Sequence, residues 1–302
     1  MKKIVFPLIT LIITLSLYSC KTETLEQKGS PEYIADVEEW HQKRIESLKD
    51  ENGWLTLVGL YWLEQGKNSF GSNKENDIVF PENAPDKIGS ITLQDTSITL
   101  NVNDNIQVTN NSELVKEIVL QHDLTGNPTI LDYSSLRWYI IKRGEKFGIR
   151  LRDTDAKLRK EFEGIERFPV NDDWRLKAKF ESYDPTKIIS LPTQLGTVVE
   201  EKSPGAAVFT VDSKEYRLDA IDTGKRYWFI FADETNGKET YGAGRYLYMD
   251  KPDSNGNMII DFNYAYNPPC VFTKYATCSF APKQNHLRLD VTAGEKTWGK
   301  DH

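Results

Sequence analysis

The residues of this chain best suited to chemistry fall late in it. Asp261, Asn263, Asn267, Cys270, Cys278 and Asn285 lie in one stretch, "DFNYAYNPPCVFTKYATCSFAPKQN", with Arg245 before it and Glu295 after it. Asp261 stands two positions before Asn263, so on a strand their side chains share one face. Arg245 carries the planar fork that grips a carboxylate at two points, and Asp261 or Glu295 could supply one. The six polar residues Arg245, Asp261, Asn263, Asn267, Asn285 and Glu295 could therefore line a pocket for a small polar ligand. They could equally cap turns and tie a proline-broken loop to a sheet, a routine use of asparagine.

A carboxylate pair drawn from the same set would open acid/base hydrolysis, which needs two carboxyl groups roughly 5–9 Å apart in an open cleft. Other chemistries find little support. Only four histidines occur, His41, His122, His286 and His302. No HExxH, G-x-S-x-G, Cys-x-x-Cys or Walker loop is present, so neither a metal centre nor a cofactor is expected. "GAGR", Gly242 to Arg245, lies between β patterns and reads as a turn. Cys270 or Cys278 with His286 as base would make a nucleophile pair, but a bridge between the cysteines would abolish it. A second basic set, Arg150, Arg152 and Arg159, could hold a carboxylate or phosphate; Glu161, Glu163 and Glu166 nearby offer surface salt bridges instead.

The compartment bears on the cysteines. "MKKIVFPLITLIITLSLYSC" has two lysines, an apolar run and a small residue before Cys20, the pattern of an export signal. Leu17 to Cys20 resembles a bacterial lipobox, which implies cleavage before Cys20 and a diacylglyceryl group on its sulfur. Cleavage removes 19 residues, with two of the 38 lysines and arginines and none of the 45 acids. The remaining 36 bases against 45 acids give a formal charge of −9. That balance opposes nucleic acid and anionic lipid surfaces, and membrane attachment is assigned to the lipid. In an oxidising space the remaining pair, Cys270 and Cys278, is expected to form a disulfide. Closing that short loop would stabilise by roughly 2.5 kcal/mol.

These residues need a scaffold. Residues 20–30 read as a polar tether. From Ser30, a good N-cap followed by Pro31, a helix is predicted up to Gly53. Ile34, Val37, His41, Ile45 and Leu48 mark its apolar stripe, with Tyr33 and Trp40 beside it. Beyond Trp54 the pattern is β. Hairpins are expected over 91–102, over "RWYIIKRGEKFGIRLRD" with its turn at Gly144-Glu145, and over "KRYWFIFADETNGKETYGAGRYLYM" with its turn at Asn236-Gly237. "DWRLKAKFESY" alternates cleanly, with Trp174, Leu176, Ala178 and Phe180 on one face. Residues 103–130 read as loops. The prediction is a mainly β protein: an N-terminal helix with a small β-sandwich over 31–125, then a larger antiparallel β domain over 126–302.

Two family resemblances add to this. "L-x-x-G-x-N-x-x-G-S-x-x-x-N-D-I-V-F-P", Leu63 to Pro81, resembles forkhead-associated β-sandwich domains. That family usually has arginine where Ser72 stands here, and its Ser-x-x-His is absent, so no phosphothreonine peptide is expected as a partner. "TYGAGRYL" (240–247), "DFNYAYNPPC" (261–270), "ATC" (276–278) and "TAGEK" (292–296) resemble a bacterial family known as domain of unknown function 1684. "GWLTLVGLYWLEQGKNSFGS" (53–72) and "FEGIERFP" (162–169) fit it too. The resemblance implies the fold and an envelope setting, and no activity. Where that family tends to have Asn-Arg, this chain has Asn285-His286. The reading that emerges is a lipid-anchored envelope protein that binds a small ligand or serves as an accessory module, with an envelope hydrolase as the alternative.

Overall fold

A computed structural model describes residues 25–299. The lipobox and Cys20 lie outside them, as does His302. The predicted helix, α1 (Pro31–Lys49), starts where expected: the Ser30 hydroxyl accepts the Tyr33 amide, and Pro31 takes the first turn. Val37 and Leu48 are the buried residues of its stripe.

Eleven strands follow, as β1 (Leu57–Trp62), β2 (Gly66–Gly71), β3 (Ile78–Val79), β4 (Gly89–Gln94), β5 (Ser97–Val102), β6 (Thr109–Asn110), β7 (Glu113–Leu114), β8 (Glu117–Val119), β9 (Leu131–Tyr133), β10 (Leu136–Arg143) and β11 (Lys146–Asp153). They form a five-stranded sheet, β3-β2-β4-β5-β8, and a six-stranded one, β1-β11-β10-β9-β6-β7. Ile91 and Leu100 of the first pack with Trp138, Ile140 and Ile149 of the second in one core. Strands on both sides of residue 125 thus share that core, because β1 pairs with β11. Residues 103–130 carry the short strands β6 to β8 rather than loops alone, with Val108 and Leu120 buried as anchors.

A short helix, α2 (Lys157–Glu161), precedes β12 (Arg175–Pro192), β13 (Val198–Val211), β14 (Lys214–Asp219), β15 (Ile221–Asp222), β16 (Arg226–Phe231), β17 (Arg245–Asp250) and β18 (Asn257–Asp261). These make the sheets β14-β13-β12-β18 and β15-β16-β17. Phe209 and Ile260 pack with Phe229, Phe231 and Leu247 between them. The expected alternation of β12 holds: Leu176, Ala178 and Phe180 point in, Lys177 and Lys179 out. The protein is mainly β with one long N-terminal helix, as predicted.

One turn differs from expectation. β16 and β17 pair, but not through a two-residue turn at Asn236-Gly237; residues 232–244 intervene. Asp233 is drawn inward to Arg245, and the Asn236 side chain bonds the Tyr241 carbonyl, so the chain folds on itself before it returns.

Candidate functional site

Four of the six polar residues singled out from the sequence act as internal ties. Arg245 is fully buried. Its carboxylate partner is neither Asp261 nor Glu295 but Asp233, 2.8 Å away, and it also donates to the backbone carbonyls of Val291, Ala293 and Glu295. Asn285 joins two sheets: its Oδ1 accepts the Asp219 amide, and its Nδ2 donates to the carbonyls of Asp219 and Ile230. Asn267 donates to the Lys296 carbonyl at 2.6 Å. Glu295 accepts from the Asn267 amide at 2.7 Å and from Arg44 Nε at 2.8 Å. Burial pushes the Glu295 carboxyl up, against the pull of Arg44.

The remaining pair stands elsewhere. Asp261 ends β18, and its carboxylate takes the Tyr33 hydroxyl at 2.7 and 2.9 Å and the Asn263 amide at 3.1 Å. Asn263 Nδ2 closes the loop by donating to the Tyr33 oxygen and the Asn171 carbonyl. Burial raises the Asp261 carboxyl above its ordinary range; the Tyr33 and Asn263 bonds and the Arg175 charge oppose the shift. Burial and Asp261 together hold the Tyr33 phenol well above its usual range.

Tyr33 belongs to α1, so the helix is fastened to the second pair of sheets. Arg44 repeats the connection: besides Glu295 it donates to the Asn267 carbonyl, and its guanidinium lies 4.3 Å from the centre of the Tyr266 ring. Trp40 meets Tyr264 edge to face, centroids 5.0 Å apart. His41 lies 3.9 Å from Glu295, and burial, with Arg167 and Arg44, lowers its pKa to about 4. It is a packed neutral ring at neutral pH.

Between α1 and the edge formed by β17 and β18 lies a cleft of about 530 Å³. That volume falls in the range of roughly 300–1,000 Å³ usual for small-molecule sites. Trp40, Tyr248, Tyr264 and Tyr266 line it, all partly exposed, with Met258 and Asp261 buried at its base. Exposed Asp36, Arg175, Arg226, Asp250 and Lys251 also line it. Cross-strand register creates much of the aromatic wall. Trp228 faces Tyr248 across β16–β17, and Tyr246 bridges to Tyr266. The Trp228, Tyr248 and Tyr266 rings consequently lie nearly parallel, 13° and 15° apart in succession.

Of the six expected residues, then, Asp261 lines this cleft, and Arg245, Asn263, Asn267, Asn285 and Glu295 do not. An acid/base pair of Asp261 with Glu295 is not assembled in it. The lining side chains missed in the sequence carried a faint signal. Tyr248 stands on one strand, Tyr264 and Tyr266 alternate after the next, and Trp40 and Tyr33 flank the helix stripe. What sequence could not tell was that the helix lies across those strands.

The cysteines occupy a separate place. Cys270 and Cys278 are both buried free thiols here, and the Cys270 amide points at the Cys278 sulfur at 3.1 Å. The contact between the two thiols lowers the Cys270 pKa and, with burial, raises that of Cys278, a rise the Cys270 amide opposes. His286 is exposed and its ring contacts the Ala281 carbonyl, so it does not form the base of a thiol pair. The loop between the cysteines clasps the first sandwich: Thr273 donates to the Leu57 carbonyl, and Thr277 accepts from Arg143 and Arg150. Arg150 and Arg152 lie over Trp54, and Arg152 also bonds the Gly53 carbonyl. Arg159 donates to the carbonyls of Lys49 and Thr154. The second basic set is thus spent on backbone, hydroxyl and ring contacts.

No curated protein matches this chain. A solution NMR structure of an uncharacterized protein of Haloarcula marismortui is 27% identical to it, covering 47% of this chain and 80% of that one, with a TM-score of 0.40. Residues 160–296, which hold all six polar candidates and both loop cysteines, match the family described as "Protein of unknown function (DUF1684)".

Proposed function

We propose that this chain is a lipid-anchored protein of the bacterial cell envelope, tethered through Cys20, that binds a small molecule in the cleft between α1 and β17–β18. One observation carries the binding reading. α1 is fastened by Tyr33 and Arg44 across a sheet edge, yet leaves between them a space walled by aromatic rings and rimmed by charges. Apolar walls with a few convergent polar groups are the usual make-up of a ligand site. The anchor rests on the lipobox pattern of Leu17 to Cys20. We further propose that export oxidises Cys270 and Cys278 to a bridge, which would stiffen the loop that clasps the first sandwich.

A hydrolytic reading has one supporting observation. Asp261 lines the cleft with its carboxyl pushed upward by burial, the direction that suits a general acid. Its oxygens are already engaged by Tyr33 and Asn263, which favours binding over catalysis.

The test is a thermal-shift screen of the full lipidated chain in detergent against sugars, nucleotides, acyl compounds and flavins. A binder should raise the melting temperature of the wild type and lose that effect in Trp40→Ala. A binder that stabilises Trp40→Ala equally would place the site elsewhere. Turnover of that binder, abolished in Asp261→Asn, would replace the binding module with the hydrolase.

A further inference from the structure

We infer that the cleft takes a neutral, hydroxyl-rich ring: a sugar or short oligosaccharide. This rests on reading the cleft as a ligand site and goes on to the chemistry of its occupant.

The unspent hydrogen-bonding groups are the first argument. Among the described residues, none bonds to the hydroxyls of Tyr248, Tyr264 or Tyr266, although all three rings line the cleft. Asp36 and Asp250 likewise form no ion pair or side-chain hydrogen bond with a described residue. Phenol hydroxyls both donate and accept, and carboxylates accept. A ligand that donates and accepts along its whole edge can use all of them, and a sugar's ring of hydroxyls does so. Its C–H face is apolar and can lie against the half-buried Trp40 ring, whose π face is electron-rich.

Charge is the second argument. The lining carries three cations, Arg175, Arg226 and Lys251, against three anions, Asp36, Asp250 and Asp261. Lys251 is held by Asp222, and Arg175 stands 3.9 Å from Asp261. A balanced rim has little net field to collect an ionic ligand. A phosphate would meet three carboxylates. A quaternary ammonium would seek open ring faces, but guanidinium groups already sit over two of them, Arg44 over Tyr266 and Arg226 over Tyr248. An acyl chain would strip water from the carboxylates with nothing to replace it.

The experiment is calorimetric titration of the full chain in detergent with cellobiose, maltose and chitobiose, alongside choline, AMP and octanoate. Two variants accompany the wild type. Trp40→Ala removes the platform. Tyr248→Phe/Tyr264→Phe removes two hydroxyls that hold no other residue, so its fold should be intact. The inference expects at least one disaccharide to bind, with affinity reduced tenfold or more in Trp40→Ala. It expects a loss of about 30-fold in the double phenylalanine variant, from two neutral hydrogen bonds of ~1 kcal/mol each. Binding of choline, AMP or octanoate but no disaccharide, lost in Trp40→Ala, would overturn the sugar class and leave the cleft standing. Disaccharide binding unchanged in both variants would overturn the cleft as well. No binding by any disaccharide overturns the sugar class.

Discussion

Replacing Arg245 with methionine separates architecture from ligand binding in this chain. Methionine keeps most of the side-chain volume and removes the guanidinium. That group is fully buried and donates to Asp233 Oδ2 at 2.8 Å, to the Val291 carbonyl at 3.0 Å and to the carbonyls of Ala293 and Glu295. Asp233 would keep Thr235 on its other oxygen, Oδ1, through the Thr235 amide at 3.0 Å and hydroxyl. Oδ2 has no other side-chain partner among the described residues. A charge buried without its counter-ion costs about 3–5 kcal/mol, and the three carbonyls lose a charged donor besides. Loss of Thr235 is not involved, so the expected destabilisation lies near 4 kcal/mol. Guanidinium denaturation followed by tryptophan fluorescence measures it. Asp233→Asn/Arg245→Met should regain part of the loss, because no unpaired charge remains. A change below about 1 kcal/mol in Arg245→Met would refute the reasoning, since breaking a desolvated pair cannot be that mild. Ligand affinity per folded molecule should be unchanged, as Arg245 does not line the cleft.

Cys270→Ala/Cys278→Ala should lose about 2.5 kcal/mol relative to the oxidised chain; mass spectrometry of the alkylated, unreduced protein tests the bridge first, and two labelled thiols after export would dismiss it. Cys20→Ser should release the chain from membranes or leave its precursor uncut, and a mature-sized mutant still in the membrane fraction would dismiss the anchor. His41 has a depressed folded pKa of about 4 against an ordinary 6.5. The unfolded chain therefore binds the extra proton between those values, and the contribution, present above pH 6.5, fades as pH falls towards 4. Glu295, raised by burial, works in the opposite sense, so the comparison must be with His41→Gln. The wild-type chain should lose about 2 kcal/mol more than that variant between pH 7 and pH 4.5; parallel stability curves would contradict it.

Local elements were legible in the sequence because local rules govern them. The Ser30-Pro31 start of α1, the Gly144-Glu145 turn and the alternation of Leu176, Ala178 and Phe180 all follow from capping, turn chemistry and period. The Asn236-Gly237 turn failed because a distant arginine, Arg245, competes for Asp233. The polar residues around Asp261 were recognisable as a set, but whether each binds a ligand or a backbone group depends on partners far away in sequence. Asn285 meets Asp219 and Ile230, and Glu295 meets Arg44. The aromatic wall escaped notice for the same reason. Trp40 and Tyr266 come together only when α1 crosses the sheets, and no periodicity encodes that crossing.

Hydrogen exchange with mass spectrometry, on the full chain with and without a bound disaccharide, tests the central claim most directly, because it locates a ligand by peptide. The cleft predicts slower exchange in peptides covering residues 33–41 and 245–266, with the first sandwich, residues 57–153, unchanged. Protection confined to the first sandwich, or none in either cleft segment while the ligand is bound, would contradict it.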